Sequence, residues 1–152
     1  MDGVSLENLS IIAETCRRGL KSLAESPGSA FEGFPTGACG VASDIVGRII
    51  WEVLGREGVY VCGAGHSELQ RLATHAWFEV GDLIVDVTHD QFYGTGLDGW
   101  VFRRGGGWHA RFESLDTRNG FCGPEGWPMY PHDGYSAVLK EVRLAGLLGS
   151  GA

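Results

Sequence analysis

Three side chains in this sequence have the chemistry needed to attack an amide carbonyl. The segment "PTGACGVAS" (35–43) puts Cys39 just after a glycine-containing loop, at the start of an apolar periodic run. A helix N-terminus carries partial positive charge and unsatisfied N–H groups, so it lowers a thiol pKa and offers donors to an oxyanion. Gly37 and Gly40 leave the backbone open around the sulfur. The segment "THAWFEVGDLIVDVTHDQF" (74–92) reads as a hairpin about a Gly81-Asp82 turn. In that register Val80 faces Leu83, Trp77 faces Asp86 and His75 faces Thr88. Alternation then gathers His75, Trp77 and Glu79 with Ile84, Asp86 and Thr88 on one face. Asp86 becomes the diagonal neighbour of His75, ~7–8 Å away at the backbone and within side-chain reach. Asp90 is the diagonal neighbour on the other side if the strand lasts that long. A carboxylate on one imidazole nitrogen fixes the tautomer and favours the protonated ring. Cys39 as nucleophile, His75 as proton carrier and Asp86 as its orienter form a complete set.

These residues need elements to carry them. Residues 5–25 read as a helix capped by Ser5, with Leu6, Leu9, Ala13, Cys16, Leu20 and Leu23 at helical spacing. Residues 26–37 are turn chemistry. Residues 38–55 give the clearest helix, with Ala38, Ala42, Ile45, Ile49 and Val53 in a stripe and Gly55 as its stop. Asp44, Arg48 and Glu52 are four apart and are expected on the solvent face. "GVYVCG" (58–63) reads as a buried strand, 63–72 as a loop, and 99–113 as two strand-like pieces about a triple-glycine turn. Residues 116–134 read as loop and 135–148 as a helix. Helices followed by mostly antiparallel strands imply an α+β fold in one domain over 1–152, with about 147–152 expected to fray.

The segments "GACGVAS" and "HAWFEVGDLIVDVT" resemble the transglutaminase-like branch of the papain-like cysteine enzymes. The resemblance covers roughly residues 35–92. It implies a nucleophile-bearing helix packed on an antiparallel sheet. Residue by residue it implies Cys39, His75 and Asp86 as catalytic, with Trp77 and Thr88 in support; Trp77 itself either lines the substrate site or fills the core. Papain-type proteases carry an oxyanion glutamine a few residues before the cysteine. This chain has none there: its glutamines are Gln70 and Gln91. The second oxyanion donor is therefore unassigned.

A chain of 152 residues with 43% apolar content is long enough to bury a core. A net charge of −7 and a single basic doublet, Arg103-Arg104, argue against a nucleic-acid partner. No stretch is apolar enough to span a membrane and no leader pattern is visible, so a cytoplasmic location is expected. Cys16, Cys39, Cys62 and Cys122 are widely spaced and expected as free thiols, with Cys16 and Cys62 read as packing. A zinc set of Cys62, His66 and His75 lacks ligand spacing, and no metal or other cofactor is expected. The expected partner is a protein or peptide substrate, attacked through a covalent acyl-enzyme and released to water. Glutamine deamidation or transamidation begins with the same attack and is the alternative. An arylamine-type acyltransferase and a non-catalytic binding module on the same fold are further alternatives.

Overall fold

The computed structural model describes residues 5–148. It is an α+β fold of three helices and a five-stranded antiparallel sheet. Helix α1 (Leu6–Lys21) starts where the Ser5 hydroxyl accepts the Asn8 amide N–H. Helix α2 (Cys39–Leu54) ends at Gly55, which takes the left-handed conformation of a helix stop. The strands are β1 (Val59–Ala64), β2 (Thr74–Val80), β3 (Leu83–Val85), β4 (Val101–Arg103) and β5 (Ser114–Asn119), in the order β4-β3-β2-β1-β5. Helix α3 (His132–Leu144) closes the described fold. No helix among the described residues is long and apolar enough to cross a membrane.

The sheet separates two cores. On one face Phe78, Val80, Leu83 and Val85 pack with Ile45 and Ile49 of α2, Leu9 and Ile12 of α1, and Val138 of α3. On the other, Val61, Trp77 and Ile84 pack with Trp108 and Phe112. The alternation of β2 sends Phe78 and Val80 to the helices and Trp77 to the second core. Two glycines permit the closest approaches. A side chain on Gly47 would start 2.5 Å from the Phe78 ring, so α2 lies directly on β2. One on Gly63, the strand partner of His75, would meet the Phe112 ring at 2.6 Å.

Several sequence expectations are corrected. Asp44 is not on a solvent face: it is buried, accepting from Arg118 Nη2 at 3.0 Å and from the Cys122 amide at 2.8 Å. Arg48 and Glu52 do pair, at 2.6 Å. Only one of the two pieces in 99–113 is a strand; Trp108–Arg111 is a 3-10 turn. Trp108 and Phe112 are four residues apart and both enter the second core, which a helical turn achieves and a strand of period two would do less compactly. Ser114–Asn119, a polar stretch without alternation, is held at the sheet edge by its backbone ladder to β1. Helix α3 begins at His132, ahead of the expected residue 135. Leu147 and Leu148 pack against the core, so fraying does not start at 147, and residues 149–152 lie outside the described chain.

Candidate active site

Cys39 is the first residue of α2, and no side chain caps the N-terminus of that helix. No acidic residue sits in the first turn either, so nothing competes there for the dipole or the free N–H groups. The thiol is partly exposed. His75, by contrast, is fully buried on β2, the central strand. The Gly81-Asp82 turn gives the register Val80↔Leu83, Glu79↔Ile84 and Phe78↔Val85. The ladder stops at Val85, yet Asp86 still reaches back to His75: Nε2 donates to Oδ2 at 2.7 Å. Asp86 is held in place by its neighbours. Its amide donates to the Trp100 carbonyl at 2.8 Å, and its Oδ1 accepts the Thr88 amide at 3.0 Å and the Thr88 hydroxyl at 3.4 Å.

With Nε2 committed to Asp86, Nδ1 is the His75 nitrogen left to bond the Cys39 thiol. The charges follow from this geometry. Burial pushes the Cys39 thiol up, but the hydrogen bond and charge of His75, with the Ala76 backbone, outweigh it and leave the pKa below the ordinary thiol value; Asp86 opposes them. Burial alone would lower the His75 pKa, but the charge and hydrogen bond of Asp86, aided by Cys39, raise it to about 9. Burial penalises ionised Asp86, but the charge of His75 and the hydrogen bonds from His109 and His75 hold its carboxyl well below the usual carboxylate range. The lowered thiol and the raised imidazole both work towards moving the Cys39 proton to His75, beside a buried carboxylate.

The other sequence candidates lie elsewhere. Asp90 does not face His75; it receives both terminal nitrogens of Arg17, at 2.9 and 2.7 Å. Trp77 is buried, its indole N–H donating to Glu79 at 2.8 Å, so it packs the second core instead of presenting a face to substrate beside Cys39. Trp108 is buried in that core, and Trp100 stacks under the Arg17 guanidinium at 4.1 Å. Cys62 does not join His66 and His75 as a ligand set. Both nitrogens of His66 are engaged, by the Trp108 carbonyl at 2.9 Å and the Glu68 amide at 3.0 Å.

Two further side chains reach the site: Gln91, which the sequence offers as a residue able to point towards it, and His109, which the sequence does not mark. Gln91 bridges the nucleophile loop and the histidine: its Oε1 accepts the Gly37 amide at 3.4 Å, and its Nε2 lies 3.4 Å from His75 Nδ1. It borders a recess of about 280 Å³ that Phe92 and Tyr93 also line. His109 bonds the Asp86 oxygen that His75 uses, also at 2.7 Å. Nothing near His109 in the sequence marks it; only the 3-10 turn brings it under the sheet. Among the described residues, His75, Asp86 and His109 are a group whose donor atoms converge within 4.8 Å. Two imidazoles and a carboxylate also suit zinc or iron(II). The Asp86 oxygen here accepts a hydrogen bond from each ring.

Comparison of the chain with protein-family models, with curated proteins and with solved structures finds no match to any of them. The functional reading therefore rests on the side chains themselves.

These side chains rank the four thiols. Cys16 is fully buried and its pKa is pushed up to about 12 by that burial. Burial, with the charge of Cys39, also raises Cys62. At pH 7, limiting iodoacetamide should label Cys39 first and leave Cys16 untouched until the protein unfolds. Lowering the pH to 6 should slow Cys39 less than Cys62, because His75 lowers the Cys39 pKa while burial raises that of Cys62. Faster labelling at any other cysteine would remove the nucleophile assignment.

Proposed function

We propose that this protein is a cysteine-nucleophile amide hydrolase that works through a covalent acyl-enzyme. One observation carries the proposal: a partly exposed thiol at a helix N-terminus lies beside an imidazole whose Nε2 is held by a buried carboxylate. In the proposed reaction Cys39 Sγ attacks the carbonyl carbon of a peptide or isopeptide bond. The carbonyl oxygen takes up the negative charge and meets the Cys39 backbone N–H at the helix start. His75 gives its Nδ1 proton to the departing amine, leaving a thioester. It then takes a proton from water, which attacks the thioester and frees the acid and the thiol. Asp86 keeps the proton on His75 Nε2 throughout.

Gln91 supplies the second donor to the oxyanion in this reading. Its amide is tied to the Gly37 loop, and its Nε2 lies 3.4 Å from His75 Nδ1, which puts an N–H donor beside the reacting atoms. Gln91→Ala should lower kcat by about 10²-fold with little change in KM, as expected for an interaction made only in the transition state. A change confined to KM would make Gln91 a binding residue only.

Hydrolysis is favoured over transfer by the surroundings of the thiol. A transferase must keep water from the acyl group. Trp77 and Trp108, which could have served as a screen, are buried in the second core, while Tyr93 at the recess is fully exposed. With fluorogenic peptide amides as donors, the free acid should dominate, and a primary amine at low millimolar concentration should divert little of it. EDTA should leave the rate unchanged. A dominant amine-coupled product would replace this reading with a transamidase. Loss on chelation, restored by zinc, would replace it with a metal centre at His75, Asp86 and His109.

A further inference from the structure

Asp86 serves two histidines, although the proposed chemistry requires one. His75 Nε2 and His109 Nε2 both lie 2.7 Å from Oδ2, and Thr88 fills Oδ1. An ionised carboxylate only accepts, so both imidazoles must carry their protons on Nε2. The two rings are 6.4 Å apart and inclined by 32°. His109 is fixed on its other sides by Trp77 at 4.8 Å, Phe102 at 5.6 Å and Trp108 at 5.0 Å. It also borders a second cavity of about 500 Å³, whose charged lining residues are Glu79, Asp82 and Arg104. Trp77 is likewise at the edge of this second cavity.

We propose that His109 is a positioning residue for the reaction: by holding the oxygen that His75 uses, it sets the angle and the strength of the His75–Asp86 bond. The proposal rests on the Cys39–His75 reading of the site. A neutral donor stabilises a carboxylate more when the opposite charge beside it is gone. His109 therefore favours the state in which His75 is neutral and able to act as a base. It also restrains Oδ2 from shifting with His75, so that Nδ1 stays directed at the sulfur. Glu79, Asp82 and Arg104 line the same cavity as His109, and Arg111 shares its turn, so these are the other charged groups around it.

The test compares the full chain with His109→Phe, which fills the space without a donor, and His109→Gln, which restores an N–H. Imidazole ¹⁵N resonances of selectively labelled protein report the tautomer and titration of each histidine, and no substrate is needed. In His109→Phe the His75 midpoint should rise by about half a pH unit or more. Turnover of the peptide amides should fall by about tenfold through displacement of His75. His109→Gln should return both towards wild type. An unchanged His75 midpoint and tautomer in folded His109→Phe would overturn the proposal, as would a glutamine variant that behaves like phenylalanine. If His109→Phe does not fold, the wild-type spectrum decides: His109 must show a protonated, hydrogen-bonded Nε2 that shifts together with that of His75 in Asp86→Asn. Failure of the Cys39–His75 reading is separately visible, because Cys39 in the wild type would then show no enhanced alkylation.

Discussion

Replacing Cys39 by alanine should abolish turnover of every amide that the wild-type protein consumes, a loss of about 10⁴-fold or more. Removing a nucleophile takes away the bond that forms the acyl-enzyme, and no neighbour can substitute for it. Cys62 is another thiol on the sheet, but its burial raises its pKa, and that burial persists when Cys39 is replaced. The fold should not suffer. Cys39 is partly exposed at a helix start, where alanine is tolerated and no side-chain cap is lost. Intact-mass analysis of the wild type quenched during turnover should show the acyl adduct, and the variant should show none. If Cys39→Ala retains both peptide binding and full turnover, the thiol is not the nucleophile. If neither protein turns over any amide and both bind peptide equally, the site belongs to a binding module.

Asp86→Asn should lower activity by about 10²–10⁴-fold, the scale of losing the correct tautomer in a triad. In the native site one carboxylate oxygen accepts from two imidazoles. An asparagine amide replaces one acceptor oxygen with an NH₂: turned to the imidazoles it opposes their Nε2 protons, and turned to Thr88 it opposes the Thr88 amide N–H, so either orientation disturbs the carboxylate's hold on the site. Asp90→Asn should change activity little. Asp90 holds Arg17, which also donates to the Val87 carbonyl at 2.6 Å, and this partly exposed pair ties α1 to the end of the hairpin. Its loss is worth ~0–1 kcal/mol of stability. The reverse ranking of the two variants would exclude Asp86 as the orienting group. The same pair sets a pH window for stability. The raised pKa of His75 means that its contribution is complete below the ordinary imidazole value and is lost as the pH rises through about 9. The depressed pKa of Asp86 means that its contribution is present above the ordinary carboxyl value and is lost as the pH falls through the lower folded one. Thermal melts of Asp86→Asn against the wild type should therefore differ most between these limits.

The contact between His75 and Asp86 was legible because it is local. A Gly-Asp turn sets the register, the register sets the diagonal, and residues 75 and 86 meet whatever the rest of the chain does. The start of α2 was legible for a similar reason, since its apolar period begins at Cys39. What sequence reasoning missed depends on distant segments. Asp44 reads as a surface residue until the 118–122 segment returns to cover it. His109 has no partner within its own turn, and its bond to Asp86 spans 23 positions. Gln91 follows the hairpin by a short turn at His89–Gln91, but its reach to Gly37 needs the placement of the nucleophile loop. Trp77 stayed open between core and site because an alternating strand fixes which residues share a face, not which face meets solvent.

The contact of Gly47 with the Phe78 ring has a consequence for how this chain can vary. Gly47 lies eight residues beyond Cys39, ~12 Å along the helix axis, and has no part in any chemistry. Yet it is where the thiol-bearing helix rests on the strand that bears the imidazole. A methyl group there would lift one lever arm off the other, and the displacement would appear at the far end, between sulfur and nitrogen. A screen for lost function should thus recover substitutions at a residue that touches neither substrate nor base. Their products would be folded proteins whose nucleophile and proton acceptor have come apart.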